Sequence, residues 1–344
     1  MPHGFNKIAI RATNWLGDAV MSLPAIRAVR DAFPEAHVAV IARPWVADLY
    51  SREAAIDRVL VYPGRSWSFI RRLRAERFDC AILLQNAFEA ALVARLAGIP
   101  RRIGYNRDGR GWLLTDAIPV PFPGEIPRHE RFYYLELLRR SGIVDRLPEC
   151  DAIRLGGWSS ETGETIGISP GAAYGNAKRW LPERFAEAAL RLGGPVAVFG
   201  SAAERALCEH VAETIRRGGG TARNYAGETT LAEFIEKAAA CRLFLTNDSG
   251  AMHIASALGV PTVTVFGATD HTTTGPTGPL ARVVREPVDC SPCLLRECPI
   301  DHRCMMRVTV EQVIEAALWT PDTNSSPVLP ASKLPAGPGN RARG

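Results

Sequence analysis

A dense run of polar side chains at residues 246–253 is the part of this sequence best suited to bind a ligand. The candidates in this run are Thr246, Asn247, Asp248, Ser249, Gly250 and His253. An apolar run precedes them and apolar residues then recur at helical spacing, which indicates a strand, a tight turn and a helix N-terminus. Such a terminus offers unpaired N–H groups and partial positive charge, which suit a phosphate or diphosphate. The alternative is that Asp248 and Ser249 only cap the helix.

Two further residues, Asp18 and Lys178, carry charges where they are able to act on a bound ligand. Asp18 follows Gly17 at the start of a predicted helix, where a carboxylate either complements the helix dipole or acts as a general base in a cleft. We expect Gly17 to leave room for a substrate. Lys178 follows a turn containing Gly171 and Gly175, which let the backbone approach phosphate oxygens, and its mobile charge suits a diphosphate.

His253 lies on the first turn of the helix that follows the polar run. It is a candidate to hydrogen-bond a phosphate or ribose, or to orient Asp248; a buried histidine without a ligand is the alternative. The sequence has no Walker loop, no HExxH, no Ser-His-Asp order and no GxGxxG after the first strand. These absences count against kinase and dehydrogenase activities.

Strands alternate with helices at short spacing in both halves of the chain, which predicts an α/β protein with two doubly wound parallel sheets. The predicted strands are residues 7–12, 37–42, 58–62, 79–84, 102–104, 165–169, 195–199, 243–245 and 262–265. Pro24 lies within a predicted helix and should kink or split it. We expect an N-terminal Rossmann-like domain at residues 1–155, a second at 156–319 and a disordered tail at 320–344 without an apolar face. The two domains should face each other across a ligand-binding cleft.

Charge and hydropathy limit the compartment and the partners. No apolar run approaches the roughly 20 residues of a membrane span, and no signal-peptide pattern is present, so we expect a soluble, cytoplasmic protein. Residues 1–160 hold 23 Lys and Arg against 17 Asp and Glu, while the remainder holds 18 against 19. The basic half suits an anionic substrate or an acidic lipid leaflet, with solvated helix faces as the alternative. The sequence contains no basic stripe interleaved with aromatic residues, so it does not predict a nucleic-acid partner.

The eight cysteines fall into two groups. The scattered group is predicted to be small buried apolar residues and comprises Cys80, Cys150, Cys208 and Cys241. The second group is confined to residues 290–304 and comprises Cys290, Cys293, Cys298 and Cys304. Its Cys-x2-Cys pair makes a zinc site an alternative, but the second pair is spaced more loosely than in zinc ribbons. We therefore predict no metal here, and favour local packing or a disulfide formed on oxidation.

Four segments together resemble glycosyltransferase family 9, the bacterial ADP-heptose:lipopolysaccharide heptosyltransferases, and within it the type II enzymes. The segments span nearly the whole ordered chain and read NWLGDAVMSLPAIRAVR (14–30), PGAAYGNAKRW (170–180), TNDSGAMHIASALGVPTVTVFG (246–267) and CSPCLLRECP (290–299). The resemblance implies a GT-B fold, with the acceptor on the N-terminal domain and ADP-heptose on the C-terminal domain. It implies transfer of L-glycero-D-manno-heptose to the heptose-Kdo-lipid A inner core of lipopolysaccharide, with inversion and without a required cofactor or metal.

The resemblance also implies roles for individual residues. Asp18 matches the general base, and Lys178 matches the lysine that neutralises the leaving diphosphate. The implied donor-binding residues are Ala173, Lys178, Glu204, Thr246, Asn247, Asp248, Ser249, Gly250 and His253, and the implied acceptor-side residues are Asn14 and Gly17. The implied partners are an ADP-sugar, an anionic lipid A-core acceptor and, peripherally, the cytoplasmic face of the inner membrane.

Three alternatives remain open at the level of the sequence. The first is a nucleotide-sugar epimerase of similar double-domain fold, which would act without a lipid acceptor. The second is a family 9 transferase with another heptosyl acceptor or another ADP-sugar. The third is a non-catalytic nucleotide-sugar or lipid-binding module, which has little use for a general base and is disfavoured by the presence of both Asp18 and Lys178.

Overall fold

A computed structural model describes residues 4–149, 152–158 and 161–319. The predicted disordered tail at 320–344 and Cys150 lie outside the described residues. The predicted domain boundary at 155/156 falls in the short described stretch between the two sheets and stays a prediction.

Each half of the chain forms a six-stranded, fully parallel sheet. The strands of the first sheet are β1 (Lys7–Arg11), β2 (His37–Ala42), β3 (Arg58–Val61), β4 (Cys80–Leu83), β5 (Arg101–Tyr105) and β6 (Asp116–Ile118). Those of the second are β7 (Ile166–Ser169), β8 (Val196–Val198), β9 (Ala222–Asn224), β10 (Leu243–Asn247), β11 (Thr262–Phe266) and β12 (Ala281–Arg285). The orders across the sheets are β3-β2-β1-β4-β5-β6 and β9-β8-β7-β10-β11-β12, so both have Rossmann topology, as predicted.

Helices pack on both faces of each sheet. They are α1 (Leu16–Met21), α2 (Leu23–Ala32), α3 (Pro44–Ala47), α4 (Trp67–Glu76), α5 (Phe88–Leu96), α6 (Arg131–Arg140), α7 (Pro182–Leu192), α8 (Arg205–Arg217), α9 (Leu231–Ala239), α10 (Gly250–Ala257), α11 (His271–Thr274), α12 (Arg303–Met306) and α13 (Val310–Leu318). The predicted split at Pro24 is confirmed: α1 ends at Met21, and Pro24 lies in the first turn of α2, where a missing N–H breaks no helical hydrogen bond.

The two domains meet where α1 packs directly against α10. Ile254 and Ala257 of α10 belong to the same buried cluster as Ile8 and Ile26 of the N-terminal domain. The close approach requires glycine at two positions. A Cβ on Gly250 would lie 2.8 Å from the Leu16 Cβ, and a Cβ on Gly17 would lie 2.9 Å from His253 Cδ2. The N-termini of these two helices are therefore fixed beside each other, between the carboxyl ends of the two sheets.

Three edge strands, β6, β9 and β12, were not predicted from the sequence. β6 reads Asp-Ala-Ile and β9 Ala-Arg-Asn, so neither shows an apolar run, and each pairs with a single neighbour. Edge strands are solvated along one side and carry weaker hydrophobic patterns than central ones. Over the described ranges, no helix combines the length and apolar character needed to cross a bilayer.

Candidate functional site

Asp18 lies in the first turn of α1, at the carboxyl end of the first sheet. Burial raises the pKa of its carboxyl group, while a hydrogen bond with the Tyr134 side chain and the positive charge of Lys178 oppose that rise. Lys178, which belongs to the C-terminal domain, thus contributes to the electrostatic environment of Asp18. A carboxyl group with a raised pKa in a cleft has the properties of a general base.

Lys178 is held at the cleft by a short ion pair. Its Nζ lies 2.6 Å from Asp248 Oδ2, and only 13% of its side chain and 5% of that of Asp248 is exposed. The Thr269 hydroxyl donates a second hydrogen bond of 2.6 Å to the same oxygen. The Tyr174 ring lies under the ammonium group, 4.7 Å from Nζ to the ring centroid. Asp248 thus orients the lysine at the mouth of the second sheet.

Asn247 and Thr246, both predicted to bind the donor, are fully buried and make internal hydrogen bonds. The Asn247 Oδ1 accepts from the Trp180 backbone N–H at 2.9 Å, and its Nδ2 donates to the Pro170 carbonyl at 2.7 Å. The Thr246 hydroxyl donates to the Asn247 carbonyl at 3.0 Å. Asn247 therefore holds the 170–180 loop, which carries Lys178, against β10.

The N-terminus of α10 has no side-chain cap. Ser249 flanks the helix in an extended conformation, but its hydroxyl accepts no hydrogen bond from the first turn and lies 3.2 Å from the Thr246 hydroxyl. Asp248 bonds Lys178 and Thr269 instead. The capping interpretation of these two side chains is therefore wrong, and backbone N–H groups at Gly250 and beyond have no side-chain acceptor. An uncapped helix N-terminus is suited to an anion.

The expectation that Gly17 leaves room for a substrate requires correction, because the His253 ring occupies that space. A Cβ on Gly17 would lie 2.9 Å from His253 Cδ2. Burial lowers the pKa of His253 to about 4, so the ring is neutral at pH 7. A neutral imidazole contributes a hydrogen bond or packing rather than a positive charge for a phosphate.

Glu204 packs against the 170–180 loop, which contains Ala173. The Glu204 Oε2 accepts from the Ser201 backbone N–H at 2.9 Å in a capping box, and Oε1 lies 3.9 Å from Arg179 Nη2. The same carboxylate packs on Gly171, where any side chain would collide with it. Ala173 is exposed beside this contact. A role for Glu204 toward a ribose stays a prediction.

Asn14, predicted on the acceptor side, is fixed by hydrogen bonds from three directions. Its Oδ1 accepts from Arg11 Nη2 at 2.8 Å, its backbone N–H donates to Gln85 Oε1 at 3.1 Å, and its carbonyl accepts from Trp45 Nε1 at 2.8 Å. The loop that leads to Asp18 is therefore rigidly held on the N-terminal sheet.

The structure adds Glu130 and Tyr134, which the sequence analysis missed. Glu130 precedes α6, and its backbone N–H donates to the Thr273 carbonyl of the C-terminal domain at 2.9 Å. Burial and the negative charge of Asp18 raise the pKa of Glu130 to about 7. Tyr134, on the next turn, is the buried hydrogen-bond partner of Asp18. A signal was present in the ionisable run His129-Glu130-Arg131 at the start of α6.

The four clustered cysteines line one cavity with Ala177 and His302. All four are free thiols in this structure, and a disulfide formed on oxidation stays a prediction. Within the ranges given above, no three His, Cys, Asp or Glu side chains are grouped to hold a metal ion. The segment packs on the lysine loop: Ala177 N–H donates to the Arg296 carbonyl at 3.0 Å, and the Tyr174 hydroxyl donates to the Leu294 carbonyl at 2.8 Å. It therefore supports the loop that carries Lys178.

Thiol reactivity tests this arrangement. In a Cys150→Ser background, we expect Cys290, Cys293 and Cys298, which are at least partly exposed, to react rapidly with a disulfide reagent. Cys80, Cys208 and Cys241 should react only on unfolding, because burial raises the pKa of each thiol to about 12. Buried Cys304 should also be protected. Time-resolved thiol titration measures this. Reactivity that rises only after a chelator is added would contradict the prediction of free thiols and indicate bound metal.

Comparison with known proteins agrees with the geometry. The family described as Glycosyltransferase family 9 (heptosyltransferase) matches residues 66–141 and 142–303. Lipopolysaccharide heptosyltransferase 2 of Escherichia coli K12 is 32% identical over 311 residues, covering 81% of this chain and 88% of that protein. The structure of E. coli ADP-heptose lps heptosyltransferase II superposes with a TM-score of 0.75 at 30% identity, over 90% of this chain and 97% of that one.

A more distant structure agrees on the fold. An E. coli heptosyltransferase solved with ADP gives a TM-score of 0.71 at 18% identity, covering 90% of this chain and 99% of the other. The GT-B architecture predicted from the sequence is thereby confirmed. With two Rossmann-type sheets, a cleft at which α1 packs against α10, and a family match over more than half its length, this chain belongs to glycosyltransferase family 9.

Proposed function

We propose that this protein is a type II heptosyltransferase, which transfers L-glycero-D-manno-heptose from ADP-heptose to the heptose-Kdo-lipid A inner core with inversion. One observation carries the proposal: α1, which bears Asp18, packs directly against α10, whose N-terminus adjoins the Asp248–Lys178 ion pair of the C-terminal domain. A base on one side of the reacting carbon and a cation on the other are what a single displacement requires.

The proposed step moves one proton and exchanges one bond. The acceptor hydroxyl attacks the anomeric carbon of the heptose, and its proton passes to the Asp18 carboxylate. The bond from that carbon to the diphosphate oxygen breaks as the new bond forms. Lys178 and the uncapped N-terminus of α10 stabilise the negative charge that ADP gains. No resident cofactor takes part.

The proposed acceptor is an anionic lipid, met at the cytoplasmic face of the inner membrane. The basic surplus of residues 1–160 supports this choice, as do the names of the similar proteins, which are lipopolysaccharide and lipooligosaccharide heptosyltransferases. Another heptosyl acceptor or another ADP-sugar would use the same Asp18 and Lys178, so substrate assays must decide among them.

ADP release measured with and without acceptor tests the proposal. We expect release from ADP-heptose to depend on a heptose-Kdo-lipid A acceptor and to be much slower with ADP-glucose in place of ADP-heptose. An acceptor that lacks the first heptose provides the matched control for type II specificity. Release that needs no acceptor, or that occurs with UDP-sugars, would overturn the assignment and favour the epimerase alternative.

The pH dependence of kcat/KM reports on the two neighbouring carboxyl groups. Asp18 must be ionised to act as a base, so activity should fall as the pH drops through the pKa of this carboxyl group, which burial raises above its usual value. Glu130→Gln removes a neighbouring carboxyl whose pKa is raised to about 7 by burial and by the charge of Asp18. Glu130 is therefore still protonated while Asp18 titrates at lower pH, so this change should leave the acid limb in place and remove any inflection of kcat/KM near pH 7.

The matched control is Glu149→Gln, an exposed carboxylate of the N-terminal domain. It should leave the whole pH profile as it is in the wild type. An inflection near pH 7 that persists in Glu130→Gln, or an acid limb that moves in this variant, would contradict the prediction that Glu130 titrates after Asp18.

A further inference from the structure

Arg296 is an exposed arginine that shares an aromatic neighbour with Lys178. Its guanidinium group lies 5.1 Å from the centroid of the Tyr174 ring, and Lys178 Nζ lies 4.7 Å from the same centroid. Arg296 belongs to the 290–304 segment, which contains the four clustered cysteines, whereas Lys178 belongs to the 170–180 loop. One ring therefore contacts a cation from each of two segments that are more than a hundred positions apart in the chain.

Backbone contacts hold Arg296 at this place. The Ala177 N–H donates to the Arg296 carbonyl at 3.0 Å, and the Leu294 N–H donates to the Ala268 carbonyl, just beyond β11, at 2.8 Å. The first of these contacts requires glycine at position 175, because a Cβ on Gly175 would collide with the Arg296 carbonyl. The backbone of Arg296 is thus fixed between two loops of the C-terminal domain, while its side chain is exposed to solvent.

Lys178 and Arg179, the two cations of their loop, each face a carboxylate. Lys178 Nζ lies 2.6 Å from Asp248 Oδ2, and Arg179 Nη2 lies 3.9 Å from Glu204 Oε1. Over the described part of the chain, Arg296 makes no ion pair. Of these three cations, Arg296 is therefore the one whose positive charge no carboxylate offsets.

The next two arginines along the chain are placed differently. Arg303 Nε lies 2.9 Å from Asp301 Oδ1, so its charge is paired. Arg307 is exposed and follows α12. Arg296 is the one of the three that lies against the same ring as Lys178.

A diphosphate at this site needs more positive charge than the elements described so far supply. Each phosphate of an ADP-sugar carries a negative charge, and the departing ADP gains another. The uncapped N-terminus of α10 offers partial positive charge, and the full charge of Lys178 is offset by Asp248. A guanidinium group suits the remaining need, because its planar fork of N–H donors matches two phosphate oxygens at once.

We propose that Arg296 is a second cation for the donor diphosphate and binds its phosphate oxygens together with Lys178 and the N-terminus of α10. The inference rests on the proposed function, because its ligand is the diphosphate of an ADP-sugar. It gives the 290–304 segment a part in donor binding: the segment packs on the 170–180 loop and presents Arg296 beside Lys178.

Calorimetric titration of the full chain with adenosine, AMP and ADP tests the inference without a transfer reaction. We expect the wild type to bind ADP more tightly than AMP, and AMP more tightly than adenosine. Arg296→Gln should weaken ADP binding by about tenfold and leave adenosine binding unchanged, because it removes contacts to phosphate alone. Arg296→Lys, which keeps the charge but not the planar fork, should lose less ADP affinity than Arg296→Gln.

The matched control is Arg307→Gln, which removes an exposed arginine from the same part of the chain. It should bind ADP as the wild type does. Steady-state kinetics give a second readout: the KM for ADP-heptose should rise by about tenfold in Arg296→Gln, with the KM for the acceptor unchanged.

The outcomes separate this inference from the proposed function. Wild-type affinity for ADP in Arg296→Gln would overturn the inference. An equal loss of adenosine affinity in that variant would also overturn it, since Arg296 would then support the nucleoside pocket instead of the diphosphate. A wild type that binds ADP through Arg296 but transfers no heptose would overturn the proposed function alone. A wild type that binds ADP no better than adenosine would overturn both.

Discussion

Asp18→Asn is expected to lower kcat for acceptor-dependent ADP release by about 100-fold or more, with little change in the KM for ADP-heptose. The amide has the size of the carboxyl group and still offers Tyr134 an acceptor oxygen, so the α1–α10 contact should survive. What it loses is the ability to take a proton from the acceptor hydroxyl at the moment of attack. The measurement is steady-state kinetics with both substrates varied.

Asp31→Asn is the matched control, because Asp31 is an exposed carboxylate on the adjacent helix α2. It should retain the wild-type rate. An Asp18→Asn enzyme within about threefold of wild type would show that proton transfer does not depend on this residue. A rise in KM alone would instead assign Asp18 to substrate binding.

Lys178→Met is expected to lower kcat by about 10²- to 10³-fold and to raise the KM for ADP-heptose, because it removes the cation that faces the leaving diphosphate. It also leaves Asp248 buried without its ion-pair partner. Unpairing a buried charge destabilises a fold by up to about 3 kcal/mol, so a fall in Tm should accompany the loss of rate.

The double variant Lys178→Met/Asp248→Asn separates the two effects. Neutralising Asp248 removes the unpaired charge and should restore most of the Tm without restoring the rate. Lys237→Met, which removes an exposed lysine of α9, serves as the surface control. Recovery of activity together with Tm in the double variant would mean that Lys178 acts only by holding the structure.

Local sequence patterns were sufficient to predict the central strands and helices. The strand-turn-helix at 243–257 and the break at Pro24 follow from hydrophobic period and backbone chemistry, which act over a few residues. Edge strands β6, β9 and β12 were missed because their stability comes from pairing with a distant neighbour rather than from their own composition.

The same distinction between local and distant causes separates the site residues that the sequence predicted from those that it did not. Asp18 and Lys178 were recognisable because a carboxylate and a lysine follow glycines at predicted turns. Glu130 was not, because its raised pKa depends on burial and on the charge of Asp18, more than a hundred positions away in the chain. The packing of His253 against Gly17 was not predicted for the same reason, because His253 belongs to the other domain.

The sequence by itself determined the fold class, the family resemblance and the two charged residues at the cleft, because periodicity and short motifs are properties of contiguous residues. Only the tertiary structure decided which polar side chains face the cleft and which are used internally, as Asn247 is by Trp180 and Pro170. It alone placed the buried Glu130 near Asp18, more than a hundred positions away in the chain. Both outcomes depend on which distant segments become neighbours, and parallel strand pairing sets that over separations that no local pattern spans.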